Sequence, residues 1–328
     1  MDILIRLPCD SLMRSCSEGF WMSERSRVNE EAGRFWDKRL ADLKNSPPMR
    51  TRWWDDAVTK RHINSIVGHP DATELHEAFH QRIARYFAGR TNLGAISVGC
   101  GAGTKEMWLM QMIDVARFDL YDISKANIAL GKEEAARQGI VNRVNLRAED
   151  AFTAQVGNDY DLVYWNNALH HMPSVEESLR WGHDRLKPGG LLAIDDFIGP
   201  DRFQWTDDNL AWANRVRQNL AVRFLRNPYA PDQLLPREIT RPTPEEVIAS
   251  DPSEAVDCGR TADVLPARFT GCEIIPTGGA LYHLALNDIF CNFTTEDNLA
   301  LLGQILLLDQ ALAERGITQY AVAFAVRQ

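Results

Sequence analysis

An α/β fold with a largely parallel sheet wound by helices is what three observations predict. Short apolar runs separated by helical spans begin at Gly94: "AISVG", "RFDLYDI", "VNLRAED", "DLVYWN" and "LLAIDDF". The first run opens onto a glycine-rich turn, within "GAISVGCGAGTKEMWL" at 94–109, that leads straight into a helical pattern. The chain closes on "YAVAFAV", where Tyr320, Val322, Phe324 and Val326 alternate with alanine as a further strand.

Three helices are expected ahead of that pattern. Over 27–44, Val28, Ala32, Phe35, Trp36, Leu40 and Leu43 share one helical face, and "SPP" at 46–48 stops it. A second helix lies in "RTRWWDDAVTKRHINSIVGHP" and ends at Gly68 and Pro70. A third, "DATELHEAFHQRIARYFAGR", takes Asp71 as its cap and stops at Gly89. Near the end, "TEDNLALLGQILLLDQALAERG" reads as a helix closed by Gly316. Residues 200–265 are rich in proline and arginine and hold one clear helix, "TDDNLAWANRVRQNLAVRFLRN". The expected division is a helical N-terminal extension over 1–89, a core over 90–199 and 266–328, and an insertion over 200–265.

Composition narrows the function. The 328 residues are 45% apolar and 25% charged, enough for a sizeable core. A formal net charge of -9 argues against a general role on nucleic-acid backbones. The N-terminal stretch carries Asp2, Arg6, Asp10 and Arg14, which makes it a poor signal peptide. No apolar run approaches the roughly 20 residues that span a bilayer, so no membrane role is expected. The six cysteines show no metal-ligand spacing and read as reduced thiols of a cytoplasmic protein.

A glycine-rich turn between strand and helix lets backbone approach a ligand closely. Gly99, Gly101 and Gly103 form G-x-G-x-G, with Thr104 where a dinucleotide pattern has its third glycine. The Gly-Lys-Ser/Thr of a phosphate-binding loop is missing. Asp122 ends the next strand, where a carboxylate can accept from both hydroxyls of a ribose. Nicotinamide enzymes share that arrangement, so a nicotinamide-dependent oxidoreductase stands as an alternative.

Three later motifs add direction: "RAEDAF" with Asp150, "DYDLVYWNNALHHM", and "LKPGGLLAIDDF". In this order, over roughly 90–328, the chain resembles the class I S-adenosylmethionine-dependent methyltransferases. "RWWDDAVTKRHIN", "IGPDRFQW", "DPSEAV" and "GGALYHLALNDIFCNF" resemble one bacterial family of these, without an assigned substrate. The resemblance implies a Rossmann-like methyltransferase fold with a seven-stranded, mostly parallel sheet and a reversed last strand. S-adenosylmethionine would lie across the C-terminal ends of the first strands. Carried over by position, Gly99, Cys100, Gly101 and Gly103 would face its methionine part. Asp122 would hold the ribose, Ile123 would pack on adenine, Asp150 beside Ala151 would accept from the adenine amino group, and Asn166 would sit by the sulfonium. The family pattern has an acidic residue two before the first glycine; Ser97 stands here. That departure leaves open a cofactor-binding protein without catalysis.

Plainer readings stand beside these. Asp150 also suits a loop cap, and His170–His171 also suits a packed strand exit. Trp53 and Trp54 suit a core, while His62 and Asn64 suit either a solvated helix face or a reach toward the cofactor. The fourth strand ends in "WNNA", not in an Asn/Asp-Pro-Pro-aromatic run, and no Pro-Cys dipeptide follows it, so neither the amino groups of adenine or cytosine nor ring carbons of bases are the expected acceptors. A hydroxyl of a small molecule or saccharide is the expected acceptor. Between Arg202 and Arg241, seven arginines against four acidic residues leave +3, a hint of an anionic acceptor. A hydroxyl must lose its proton near the transition state. His171 is the first candidate base, then His170, with Asp196 and its neighbour Asp195 behind them. Arg202 and Trp205 are expected to face the acceptor from the 200–265 insertion, and the N-terminal helices to cover the cofactor. Removing 206–240 with a short linker is then expected to spare cofactor binding yet abolish turnover. No metal is expected, since Asn166 or Asn167 stands where a hard cation would want a carboxylate.

Overall fold

The computed structural model of the chain describes residues 29–41 and 52–328. The readings made on Asp2 to Arg14, Cys9, Cys16, Val28, Leu43 and "SPP" lie outside the described residues. Helix α1 covers 29–41, followed by α2 (Ala57–Val67) and α3 (Glu77–Tyr86). The alternating part runs β1 (Leu93–Val98), α4 (Thr104–Leu109), β2 (Val115–Asp122), α5 (Lys125–Arg137), β3 (Val144–Ala148), β4 (Tyr160–Asn166), α6 (Val175–Arg185) and β5 (Leu186–Phe197). After β5 come α7 (Asp207–Asn219), a small hairpin of β6 (Arg226–Asn227) and β7 (Ala230–Leu234), α8 (Pro244–Ser250) and α9 (Thr261–Arg268). The chain ends with β8 (Glu273–Gly278), α10 (Glu296–Ala313) and β9 (Tyr320–Val326).

The main sheet has seven strands in the order β3-β2-β1-β4-β5-β9-β8. Strands β1 to β5 pair in parallel, and β9 runs antiparallel to both neighbours. The reversed last strand is therefore present. Strand β8 is absent from the apolar-run pattern because Pro276 interrupts it; proline is tolerated there because β8 is an edge strand.

Alternation sends successive side chains to opposite layers. Ala95, Leu162 and Tyr164 join Phe79, Ile83, Met107 and Ile128 on one face. Ile96, Val163 and Trp165 join Val175, Leu179 and Leu265 on the other. A third core unites Ala213, Leu220 and Phe224 of the insertion with Leu281, Leu286, Ile289 and Leu306.

Several caps follow the sequence. Gly68 closes α2 in the left-handed region, and Thr206 forms a capping box with Asn209 at α7. Asp71 does not cap α3, which starts later at His76; the Glu77 carboxylate accepts instead from Thr73 and Glu74 N–H. No helix among the described residues is long and apolar enough to cross a membrane. In this parallel part the chain reverses its winding between β1 and β4, and ligands bind at the carboxyl edge of such a switch point.

Candidate active site

A cavity of about 710 Å³ follows that edge past β2, β1 and β4. This is ample for a small-molecule pocket, which typically takes about 300–1,000 Å³. Gly99, Cys100, Gly101, Asp122, Ile123, Asp150, Ala151, His171 and Arg202 all line it. Gly103, Asn166, His170, Asp196 and Trp205 do not line it, and each has another setting.

Close approach explains the turn. Gly99 has φ 70°, and a Cβ there would stand 2.9 Å from Ala168 Cβ. At Gly103, φ is also 70°, and a Cβ would meet Leu120 Cδ1 at 2.8 Å. Gly103 thus seats α4 on the sheet rather than facing a ligand. Asp122 accepts from Gly101 N–H at 2.7 Å with one oxygen and from Ser124 N–H at 2.7 Å with the other. Burial raises its pKa and the two N–H bonds oppose that rise. Each oxygen keeps acceptor capacity on the cavity side, the requirement for a ribose diol.

Helix α1 lies over this end. Asn29 Nδ2 donates to Asp150 Oδ2 at 2.8 Å, while Asp150 Oδ1 accepts from Phe152 N–H. Asp37 accepts from Ser124 Oγ at 2.6 Å and from Ala126 N–H, so it also supports the start of α5. A Cβ at Gly33 would lie 3.0 Å from Ile123 O, which brings the two backbones into near contact. S-adenosylmethionine, the cofactor that the resemblance implies, fits these residues: a backbone cradle at Gly99, a diol acceptor at Asp122, and an acceptor at Asp150 two strands along.

The β1–β4 end holds residues that the sequence left unread. Ser97, standing where the family pattern has an acid, donates to Glu106 Oε1 at 2.7 Å. Glu106 reaches Ser97 from α4, but it is buried and does not line the cavity, and burial raises its pKa. Lys105 lines the cavity and donates to Asn166 O at 2.7 Å and Asn166 Oδ1 at 3.0 Å. Asn167, not Asn166, forms the cavity wall. Its amide lies 3.4 Å from His76 Nε2, and His76 Nδ1 lies 2.7 Å from Asp195 Oδ2.

The two doublets divide their tasks. Asp196 is fully buried; it accepts from Ala168, Leu169 and Phe197 N–H and pairs with His170 Nδ1. With that saturation Asp196 organises the strand exit and cannot serve as a base for a ligand. Burial works against the imidazolium of His170, but the Asp196 charge and hydrogen bond outweigh it and raise the pKa. His171 turns to the cavity, with Nδ1 3.2 Å from Ser253 O and 3.1 Å from Ser253 Oγ. Burial, then the neighbouring His170, push its pKa well below 6.5. One atom each from His170, His171 and Glu254 lie within 4.8 Å of one another, close enough to share a metal ion. His170 Nε2 already faces Glu254 Oε1 at 3.5 Å, an arrangement that a proton on the imidazole also satisfies.

The insertion needs correction. Trp205 is buried, stacked on Phe203 at 4.9 Å among Phe197 and His283, so it packs in the core. Four of the seven arginines, Arg202, Arg217, Arg237 and Arg241, staple backbone carbonyls rather than form an anion receptor. Arg202 Nη1 donates to Pro252 O and Glu254 O, and Arg217 donates to Pro236 O and Ala285 O. Arg237 binds the carbonyls of Arg217, Gln218 and Leu220, and Arg241 that of Trp205. Because α7 shares a core with 280–293, removing 206–240 would open that core rather than merely uncover a pocket. The insertion's cavity residues are Arg202 and the 248–256 stretch: Ile248, Pro252, Ser253 and Val256. Asn64 neither reaches the cavity nor faces solvent; it accepts from Ala78 N–H and donates to Ala72 O and Glu74 O. Trp53 is core, whereas Trp54 is exposed.

Residues 96–192 match the protein family described as a methyltransferase domain. Erythromycin 3''-O-methyltransferase of Saccharopolyspora erythraea is 27% identical over 146 residues, covering 43% of this chain and 47% of that protein. The 27-O-demethylrifamycin SV methyltransferase of Amycolatopsis mediterranei is 27% identical over 118 residues, 36% of this chain and 43% of that one. The chain thus spans less than half the length of these two relatives. Geranyl diphosphate C-methyltransferase from Streptomyces coelicolor A3(2) shares the fold with a TM-score of 0.50 at 12% identity, covering 92% of this chain and 98% of that chain.

Proposed function

We propose that this chain, a class I S-adenosylmethionine-dependent methyltransferase, moves a methyl group onto a hydroxyl oxygen of a small molecule with a largely apolar body. One observation carries the reading: a single continuous cavity has Gly99, Asp122 and Asp150 along one part of its wall and His171 along another. When bound, the cofactor supplies an electrophilic sulfonium methyl, and holding the acceptor in line provides much of the acceleration. Met172, Pro173, Ile248, Pro252 and Val256 give the acceptor an apolar wall that excludes water. That wall, with the Arg202 guanidinium engaged by the carbonyls of Pro252 and Glu254, favours an uncharged acceptor over the anionic one that the arginine count suggested. O-methyl transfer in the names of two relatives supports oxygen as the acceptor atom. His171 is uncharged at neutral pH and takes the hydroxyl proton on Nε2, while Ser253 holds Nδ1.

Calorimetry with S-adenosylmethionine and with NADH tests the class: binding of the first alone is expected, and binding of NADH alone would overturn it. Turnover with a panel of small-molecule alcohols should yield products heavier by one methylene. A panel in which only polyhydroxylated saccharides react would overturn the apolar acceptor. Activity lost on chelation and restored by a divalent ion would transfer the activating role from His171 to a metal held by His170, His171 and Glu254.

Asp122 supplies a narrower prediction. Two ribose hydrogen bonds to a charged acceptor contribute about 1.5–3 kcal/mol each. Asp122→Ala is therefore expected to weaken cofactor binding at least about tenfold; the fold survives, with a lowered melt because Gly101 and Ser124 N–H lose their acceptor. Unchanged affinity by calorimetry would remove Asp122 from the ribose.

A further inference from the structure

We propose that Lys105 is the counter-ion for the α-carboxylate at the methionine end of S-adenosylmethionine. The inference rests on the cofactor reading above. It begins from the strand order: Asp150 follows β3, Asp122 ends β2, and Asn166 ends β4 on the far side of β1. A cofactor with its ribose at Asp122 and adenine toward Asp150 must extend its amino-acid end toward β1 and β4. Lys105 lines the cavity there.

Its ammonium is held in place. Asn166 Oδ1 and O accept from Nζ, while Asn166 Nδ2 donates to Tyr164 Oη at 2.9 Å. Tyr164 Oη in turn lies 2.8 Å from His80 Nε2. This chain fixes which way the Asn166 amide points and aims the cation. An ammonium has three donors, and those two bonds use two of them.

None of the nearby carboxylates bonds Lys105. Asp195 pairs with His76, and Asp196 serves His170 and three backbone N–H groups. Glu106 accepts from Ser97 through Oε1, while its Oε2 is buried without a hydrogen-bond partner and Glu106 lies outside the cavity lining. Among the described residues, Lys105 forms no ion pair. A half-buried cation on a ligand cavity is costly without an anionic partner. The cofactor's amino-acid end offers one carboxylate and one ammonium; Lys105 attracts the first and repels the second. Ser97 brings no carboxylate to the end of β1 and Glu106 lies outside the cavity lining, so the charge of Lys105 at this wall favours the carboxylate.

The test compares S-adenosylhomocysteine with its decarboxylated analogue, which lacks only the α-carboxylate, by calorimetry. The parent protein is expected to prefer the carboxylated ligand tenfold or more. Lys105→Met should erase the preference by weakening S-adenosylhomocysteine while leaving the analogue within about twofold, and Lys105→Arg should restore most of it. No preference in the parent, or equal weakening of both ligands by Lys105→Met, overturns the assignment. The parent comparison needs no variant, so it holds even where Lys105→Met is unstable. A parent protein that binds neither ligand overturns the cofactor reading itself, an outcome distinct from binding without preference.

Discussion

His171→Ala is expected to cut turnover about 10²–10⁴-fold while leaving cofactor affinity nearly unchanged. The imidazole lies on the cavity wall, and its Nδ1 is occupied by Ser253. Burial and the neighbouring His170 lower its pKa well below 6.5. A base must be unprotonated to act, so the acid limb of the rate profile should fall well below the ordinary imidazole range. Titration close to neutrality, the expectation for an unperturbed histidine, is not what this environment supports. Single-turnover rates for the parent and His171→Ala between acid and neutral pH check both points. Near-parent rates in the variant would make His171 a wall residue only.

The second large effect is on stability. Asp196→Ala should lower the unfolding free energy by about 3–5 kcal/mol, the usual cost of removing one partner of a buried ion pair. It strands the His170 imidazolium and leaves the N–H groups of Ala168, Leu169 and Phe197 without their acceptor. The pH dependence has a definite sign. His170 has a raised pKa in the folded protein, so its contribution is full below about 6.5, the ordinary imidazole value, and fades as pH climbs through the raised value. Burial opposes ionisation of Asp196, yet His170 and the backbone donors prevail and depress its pKa. Its share is present above the ordinary carboxylate range and is lost as pH falls through the depressed value. Urea unfolding of parent and variant should therefore diverge most between these limits. A difference below about 1 kcal/mol, typical of an exposed pair, would show that the pair is not organising the strand exit.

Much of the scaffold was legible because its signals are local. The Gly99–Gly103 turn, the Asp122 strand end and the alternating apolar runs each sit within a few residues. What escaped depends on partners far along the chain. Glu106 bonds Ser97, but nothing in "TKEM" announces that a glutamate turns back to β1. Trp205 looked like a ligand contact until Phe203, Phe197 and His283 closed around it. The arginines looked like an anion site because a charge count cannot see that Arg217 reaches the carbonyl of Ala285. The doublets at 170–171 and 195–196 were recognised, yet only tertiary packing shows which member faces the cavity. His171 faces it; Asp195 and Asp196 serve different histidines.

Helix α1 touches both parts of the cavity. Asn29 bonds Asp150 at the adenosine end, and Trp36 meets His171 edge-on at 5.4 Å where the acceptor is expected. If bound cofactor and acceptor each order this helix, their affinities become interdependent. Whichever ligand holds the helix down spares the other part of the ordering cost, and linkage requires the benefit to be equal in both directions. Cofactor and acceptor should thus bind with positive cooperativity although they need not contact the same side chains. On the same condition, departure of one product would weaken retention of the other, and the spent site would empty as a unit.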